Sequence, residues 1–303
     1  MDFTVPLAIS EKNYTLRVSE FNNATYRTIL KYLQNDDKPH LTKFLDNLVD
    51  QVIENKNDTL TRKDKACILL TSRSISIGPE LELTFTCPTT QKPYKGTVDI
   101  PYIVEKLCQT HEYPSKTVKI NDKVEVLLKM HESLWIPPAD TLDAVTDVVS
   151  TIKIDNKIYT LDKIDLTDRR KLIESLDGSV FGHVSKYITD AWQAHEKIQI
   201  ITDRNPHDPE QEPKEYNINL YDNTLFDFIC LSLAGNLRES YQMIYTLTNH
   251  MQFSPGYVDN ITPVETTIYF NIKTQEIERQ KQEQQTSQQN NSPTLGGLGA
   301  PSL

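Results

Sequence analysis

One apolar stripe constrains the fold more than any other part of this sequence. Between residues 41 and 54, large apolar side chains recur at the spacing of an amphipathic helix, over about three turns. A helix with such a face is stable only when the face is covered, so the stripe predicts a helix packed on the chain's own core or on a partner. The positions are Leu41, Phe44, Leu45, Leu48, Val49, Val52 and Ile53.

Four segments have the alternation and the turn residues of β-hairpins. Residues 3–18 and 81–100 each contain two alternating apolar runs around a polar turn. Residues 117–124 (TVKINDKV) and 151–158 (TIKIDNKI) resemble each other, and their Asn and Asp residues tolerate the left-handed conformations of tight turns. This internal repeat predicts a small antiparallel insertion over residues 113–165. Duplication and chance convergence both remain open.

Capping residues mark the starts of several helices. Thr61 is placed to cap a helix, with Asp64 three residues on as a further acceptor. Thr167 is placed to cap a helix in the second half of the chain. Thr262 and Glu265 form a capping box around a proline, which predicts that a last helix begins there.

The C-terminal part of the chain is predicted to be helical and then unstructured. The run from Thr224 is apolar on nearly every side, which predicts a buried helix that continues to about Met251. Beyond Ile277 the sequence is rich in Gln, Ser and Gly, and such a segment buries too little apolar surface to order itself. We therefore expect a flexible tail.

These signals together predict an α+β protein with four regions. Residues 1–112 form a hairpin-and-helix domain, and residues 113–165 form the antiparallel β insertion. Residues 166–277 form a helical domain, and residues 278–303 form the low-complexity tail.

Charge and hydropathy argue against nucleic acid and membrane as partners. The net charge is −10, and the basic run at 169–171 lies between Asp168 and Glu174, as on a solvated helix face. No stretch approaches the roughly 18 consecutive apolar residues of a membrane span, and the N-terminus has no secretory pattern. We expect synthesis in the cytoplasm.

No sequence motif indicates a catalytic site or a cofactor. The chain has nine glycines and neither of the common phosphate-binding loops, and it lacks the G-x-S-x-G and H-E-x-x-H motifs. We therefore expect a protein without enzymatic activity, without cofactor-binding residues and without a metal. A hydrolase or transferase with an unrecognised site is the alternative from another class.

The four cysteines are widely spaced and form no C-x-x-C pair, which argues against a disulfide framework and against a zinc ribbon. Cys87, Cys108 and His111 would converge on a metal only if the second hairpin folded back on the next helix. Reduced, mostly buried thiols are the expectation.

What remains is a set of residues for contacts with other proteins. Arg73 is a candidate to join the end of a helix to the following strand or to a neighbouring protein through bidentate hydrogen bonds, with a solvent-exposed arginine as the alternative. The other candidates are apolar or aromatic, with an ordinary intramolecular core as the alternative. They are Leu225, Phe226, Phe228, Tyr241, Tyr245 and Phe253.

The order of these features resembles a known family. The segment Leu69–Gly78 (LLTSRSISIG), the strand after it and the helical segment Leu166–Gly178 (LTDRRKLIESLDG) are similar to the baseplate hub subunit and hub assembly family of T-even-type, contractile-tailed bacteriophages. Two features depart from that pattern. The region around 113–165 looks like an insertion, and Cys87 stands alone where the resemblance implies a paired-cysteine knuckle in some relatives.

The resemblance implies a non-enzymatic structural or assembly protein of the tail baseplate, as a hub subunit or a hub assembly factor. It implies other tail or baseplate proteins as partners and the virion as the location. A tail-assembly chaperone that is absent from the finished virion is the alternative, and a homo-oligomer within the assembly remains open.

Overall fold

The structure is a computed structural model that describes residues 5–9, 14–54, 60–111, 113–130, 141–155, 157–161, 164–176, 178–194, 197–201, 205–208, 210 and 215–290. The predicted turn of the first hairpin at 10–13 and the tail residues 291–303 lie outside this part of the chain.

Helices and small antiparallel sheets make up the described residues, which confirms the α+β prediction. The helices are α1 (Asn23–Gln34), α2 (Lys38–Val52), α3 (Arg62–Ser76), α4 (Ile100–Gln109), α5 (Thr141–Val148), α6 (Leu166–Glu174), α7 (Ser179–Ala194), α8 (Thr224–Leu233), α9 (Leu237–His250), α10 (Pro255–Asn260) and α11 (Pro263–Asn290). None of these helices is both long and apolar enough to cross a membrane.

All strand pairs in the described residues are antiparallel. The strands are β1 (Val5–Ile9), β2 (Tyr14–Val18), β3 (Glu80–Thr86), β4 (Pro93–Asp99), β5 (Lys116–Lys119), β6 (Val124–Leu128), β7 (Val149–Ile154), β8 (Lys157–Thr160), β9 (Ile198–Ile201) and β10 (Glu215–Ile218). β1–β2, β3–β4 and β9–β10 are two-stranded, and β5–β6–β7–β8 form one four-stranded sheet. The hairpins predicted at 81–100, 117–124 and 151–158 are confirmed.

The chain divides into two compact units. Unit 1 contains residues 1–21 and 28–235, and unit 2 contains residues 22–27 and 236–303. The predicted domain borders after residues 112, 165 and 277 are not tested by this division and stay predictions.

Helix α3 lies at the centre of unit 1, where it packs against α2, α4 and α8. Thr61 caps its N-terminus as predicted, and the structure shows that Thr61 and Asp64 form a capping box: Thr61 Oγ1 accepts from the Asp64 N–H at 3.2 Å, and the Asp64 carboxylate accepts from the Thr61 N–H at 3.0 Å. The stripe predicted at 41–54 is confirmed as α2, whose buried side chains face the chain's own core. The covering of that stripe is therefore intramolecular.

The repeated hairpins form one sheet that shares a core with the helices beside it. Val126 of β6 and Ile152 of β7 are fully buried together with Ile173 of α6 and with Val184 and Tyr187 of α7. The inner strands β6 and β7 therefore bury apolar side chains on one face, as expected for an antiparallel sheet covered on one side, whereas β8 at the sheet edge is largely exposed and its Ile158 is 66% exposed.

Unit 2 consists of α9, α10, α11 and the first turn of α1. Leu247, Val258 and Ile261 are its buried apolar centre. The buried side chain of Asn23 donates to the Val258 carbonyl at 2.7 Å and to Thr266 Oγ1 at 2.6 Å. Segments that are far apart in the sequence are therefore joined by one amide.

The predicted single helix from Thr224 to Met251 is wrong, because two helices occupy that range. α8 ends at Leu233, and Ala234 has extended backbone angles. The Asn236 side chain then accepts hydrogen bonds from the N–H groups of Arg238 and Glu239 at 3.0 and 3.2 Å, which starts a new helix.

The predicted cap of α6 is also wrong. Asp165 is the N-cap residue, and its carboxylate accepts from the Thr167 N–H at 2.9 Å. Aspartate is at least as good a cap as threonine, so Asp165 takes the cap position two residues before Thr167.

The last helix begins at Pro263 as predicted, but it extends into the expected tail as far as Asn290. Gln and Glu favour helix, and Arg279 and Glu283 form an i,i+4 pair at 3.6 Å on its surface. The start of the Gln-rich segment is therefore helical.

We expect Thr61→Ala to lower the free energy of unfolding of unit 1 by about 1 kcal/mol, because it removes the acceptor of the capping box. Thr189→Ala, at an exposed position of α7, is the matched control and should change it by less than about 0.5 kcal/mol. Urea titration followed by circular dichroism measures both, and equal effects would argue against the cap.

Candidate protein-protein interface

The C-terminal half of α3 carries polar side chains that are buried inside unit 1. Ser72 Oγ donates to the Ser19 carbonyl at 2.8 Å, and the Phe21 N–H donates to Ser76 Oγ at 2.8 Å. Both serines are fully buried. They hold the chain that leaves β2 against α3.

Arg73 lies between these serines and is only 4% exposed. Its Nε donates to the Ser232 carbonyl of α8 at 3.0 Å, its Nη2 donates to the Glu80 carbonyl of β3 at 3.0 Å, and its Nη1 donates to the Gly78 carbonyl. Hydrogen bonds from a charged donor offset part of the cost of removing the guanidinium from water. Arg73 thus joins α3 to the following strand and to α8 within the chain.

Gly78 makes the turn that brings one of these carbonyls to Arg73. Its φ is +146°, a backbone conformation that side-chain-bearing residues rarely adopt. The sequence Arg73 to Gly78 therefore combines the donor with the residue type that the turn requires.

The apolar candidates in α8 belong to the core of unit 1. Leu225, Phe226 and Phe228 are at most 7% exposed. Their burial is the packing that the alternative of an intramolecular core predicts. Leu225, Phe226 and Phe228 therefore pack beneath the surface of unit 1.

The aromatic candidates of α9 lie at the surface of unit 2. Tyr241 and Tyr245 are 46% and 61% exposed, one turn apart on the same helix face. With Ile244 and with Phe270 of α11 they line an open, mostly apolar groove of about 840 Å³, which also has Arg238 among its lining residues. Tyrosine and arginine are enriched among the residues that dominate protein interfaces.

Phe253 has a supporting position in the same unit. Its ring packs edge-on against Tyr257 and Tyr269, with ring centroids 5.5 and 5.2 Å away. It is only partly exposed and contacts the buried centre of unit 2. Tyr257 is the exposed member of this cluster.

A second apolar depression was missed by the sequence analysis. It lies in unit 1 between β3–β4, β9–β10 and α8, has a volume of about 200 Å³, and is lined by Leu83, Val98, Tyr216, Asp227 and Leu231 among others. Leu231 is 42% exposed although it belongs to an apolar run. No periodicity signal could find it, because the depression forms only where two hairpins meet a helix.

The cysteine and histidine candidates do not form a metal site. No three His, Cys, Asp or Glu side chains converge in the described part of the chain. Cys87 is buried with Phe85 and Tyr94, and its sulfur accepts from the Thr90 N–H at 3.4 Å, whereas Cys108 contacts Cys67 of α3.

Comparison with known protein families identifies the family of the chain. Residues 2–207 match the model of the T4 bacteriophage base plate protein family. The chain belongs to this family. No curated protein sequence and no solved structure shows significant similarity to the chain.

Membership in the T4 baseplate family supports a structural or assembly role in the phage tail baseplate, with other tail or baseplate proteins as partners. The match contains all of α3 and Arg73. It ends before α8, so the groove lined by Tyr241 and Tyr245 lies beyond it.

We expect Arg73→Met to lower the free energy of unfolding of unit 1 by at least about 3 kcal/mol, because three carbonyl groups lose a charged donor in the interior. Arg17→Met is the matched control, since Arg17 is exposed on β2, and its effect should stay within about 0.5 kcal/mol. Urea titration of both variants is the measurement. Similar losses for the two variants would contradict the role of Arg73.

Proposed function

We propose that this baseplate protein is a structural subunit of the baseplate hub and acts through protein–protein contacts without catalysis. The family match over residues 2–207 is the observation that carries the baseplate assignment. The hub assignment is supported by the resemblance of Leu69–Gly78 and Leu166–Gly178 to hub proteins.

The arrangement of Leu69–Gly78 supports a scaffold function for this segment. Its polar side chains are directed to backbone groups of the same chain rather than to a cleft, as the hydrogen bonds of Ser72, Arg73 and Ser76 illustrate. A segment of this kind stabilises a rigid body on which contact surfaces are presented.

We propose the groove of Tyr241 and Tyr245 as the surface that receives a neighbouring baseplate protein. The fitting partner is an apolar helix or strand with an acidic residue next to the apolar ones, because aromatic rings line the groove and Arg238 supplies a positive charge there. Exposed tyrosines provide large contact area at small cost in conformational entropy.

Mass spectrometry of purified phage particles tests the structural assignment. We expect peptides of this chain in fixed stoichiometry with the other baseplate proteins. Absence from particles, together with abundance in infected cells, would instead support the assembly chaperone. Cross-linking within intact tails then tests the hub assignment, since cross-links only to peripheral baseplate proteins would overturn it.

We expect the double variant Tyr241→Ala, Tyr245→Ala to reduce the number of completed baseplates in cells infected by the phage that encodes it. Loss of two central aromatic contacts commonly costs 2 kcal/mol or more, which is an affinity loss of roughly 30-fold. Sedimentation of assembled baseplates and phage titre are the measurements.

The control for the groove is Tyr102→Ala, because Tyr102 is as exposed as Tyr241 but lies on α4 in unit 1. Circular dichroism of each purified variant separates a lost contact from a lost fold. Normal baseplate assembly by a folded double variant would contradict the proposal that the groove is a docking surface. It would not affect the family assignment.

A further inference from the structure

Two cysteines that play no part in the proposed function lie in contact inside unit 1. Cys67 of α3 and Cys108 of α4 have their sulfur atoms 3.7 Å apart. Cys67 is 2% exposed, whereas Cys108 is only partly buried. Cys108 is therefore the more accessible residue of the pair.

The surroundings hold the two helices together at this point. Lys63, one turn before Cys67, donates from Nζ to the Thr110 carbonyl just after α4 at 3.0 Å. Ile103 and Leu107 of α4 are fully buried. The sulfur atoms are thus kept near each other by packing, and about 1.7 Å of approach converts their 3.7 Å separation to the ~2.05 Å of a disulfide.

The contact also differentiates the two thiols. The hydrogen bond with Cys67 lowers the pKa of Cys108, with a further contribution from the nearby Lys63 ammonium. The same hydrogen bond, followed by burial, raises the pKa of Cys67. The thiolate is the species that attacks a disulfide. Cys108 is the more accessible cysteine and the one whose pKa is lowered, so Cys108 is the nucleophile of the pair.

We propose that Cys67 and Cys108 form a redox-active dithiol that a small-molecule disulfide converts into an intramolecular disulfide joining α3 to α4. The Cys108 thiolate attacks one sulfur of the oxidant, forms a mixed disulfide and releases the first thiolate. The Cys67 sulfur then attacks the Cys108 sulfur, and the Cys67 proton passes to the departing thiolate, which leaves as the second small-molecule thiol. Two protein thiols are oxidised, and one small-molecule disulfide is reduced to two thiols.

The bond would close a loop across the centre of unit 1. The two cysteines are 41 residues apart, so the cross-link restricts the unfolded chain considerably. Oxidation should therefore raise the melting temperature of unit 1 by about 4–10 °C, reversibly on addition of dithiothreitol.

Treatment of the reduced, folded protein with oxidised glutathione tests the proposal. We expect a mass decrease of two hydrogens, and non-reducing trypsin digestion should give a cross-linked pair of peptides, residues 66–73 and 107–116. Cys67→Ser should instead stop at a glutathione adduct on Cys108 and lose the rise in melting temperature. Cys108→Ser should leave the buried Cys67 unmodified.

The matched control is Cys230→Ser, which removes another partly buried thiol and should leave the cross-link unchanged. A native protein in which Cys108 only accumulates the glutathione adduct, or stays free, would overturn the proposal. So would a cross-link that appears only after unfolding in urea, or oxidation that lowers the melting temperature.

The time at which the bond forms rests on the proposed function. Host cytoplasm keeps thiols reduced, whereas free particles meet oxidising surroundings. Rapid alkylation should therefore find both cysteines reduced in infected cells and cross-linked in purified particles. Free thiols in particles would overturn this timing, whereas absence of the chain from particles would contradict the structural function and not the dithiol.

Discussion

The structure of unit 1 depends on a buried helix, α3, with three buried cations that donate hydrogen bonds to backbone carbonyl groups. Arg62 donates to the Leu220 carbonyl at 3.0 Å, Lys63 donates to the Thr110 carbonyl, and Arg73 donates to three carbonyls around the start of β3 and the end of α8. A buried cation is costly unless it finds such acceptors. Each of these side chains therefore holds in place a segment that is remote in the sequence, and α2, α4 and α8 pack against α3.

These hydrogen bonds within the chain are consistent with a protein that acts by presenting contact surfaces to other proteins. The polar side chains of Leu69–Gly78 form hydrogen bonds within the chain, so the proposed contacts with neighbouring proteins involve other elements. The exposed tyrosines of α9 lie beyond the residues that match the baseplate family.

Local sequence signals were sufficient to predict the structure where residues close together in the sequence fix the backbone conformation. The capping boxes at Thr61 and Thr262 are closed by residues three positions away, and the Asn/Asp turns of the repeated hairpins need only their own backbone. The helix break at Asn236 was missed because the apolar run before it gives no sign of a cap. The Gln-rich segment begins as a helix although its composition predicts disorder, because Gln and Glu have high helix propensity.

The sequence by itself determined the α+β class, the starts of α3, α8 and α11, the hairpins and the resemblance to baseplate proteins, because periodicity and caps are local properties. Only the tertiary structure decided the environment of individual side chains. It buried Arg73 and the α8 aromatics, exposed Tyr241 and Tyr245, and placed Cys67 against Cys108. The physical reason is that burial and contact depend on which remote segments pack on a given face, and a residue's own neighbours in the chain do not specify them.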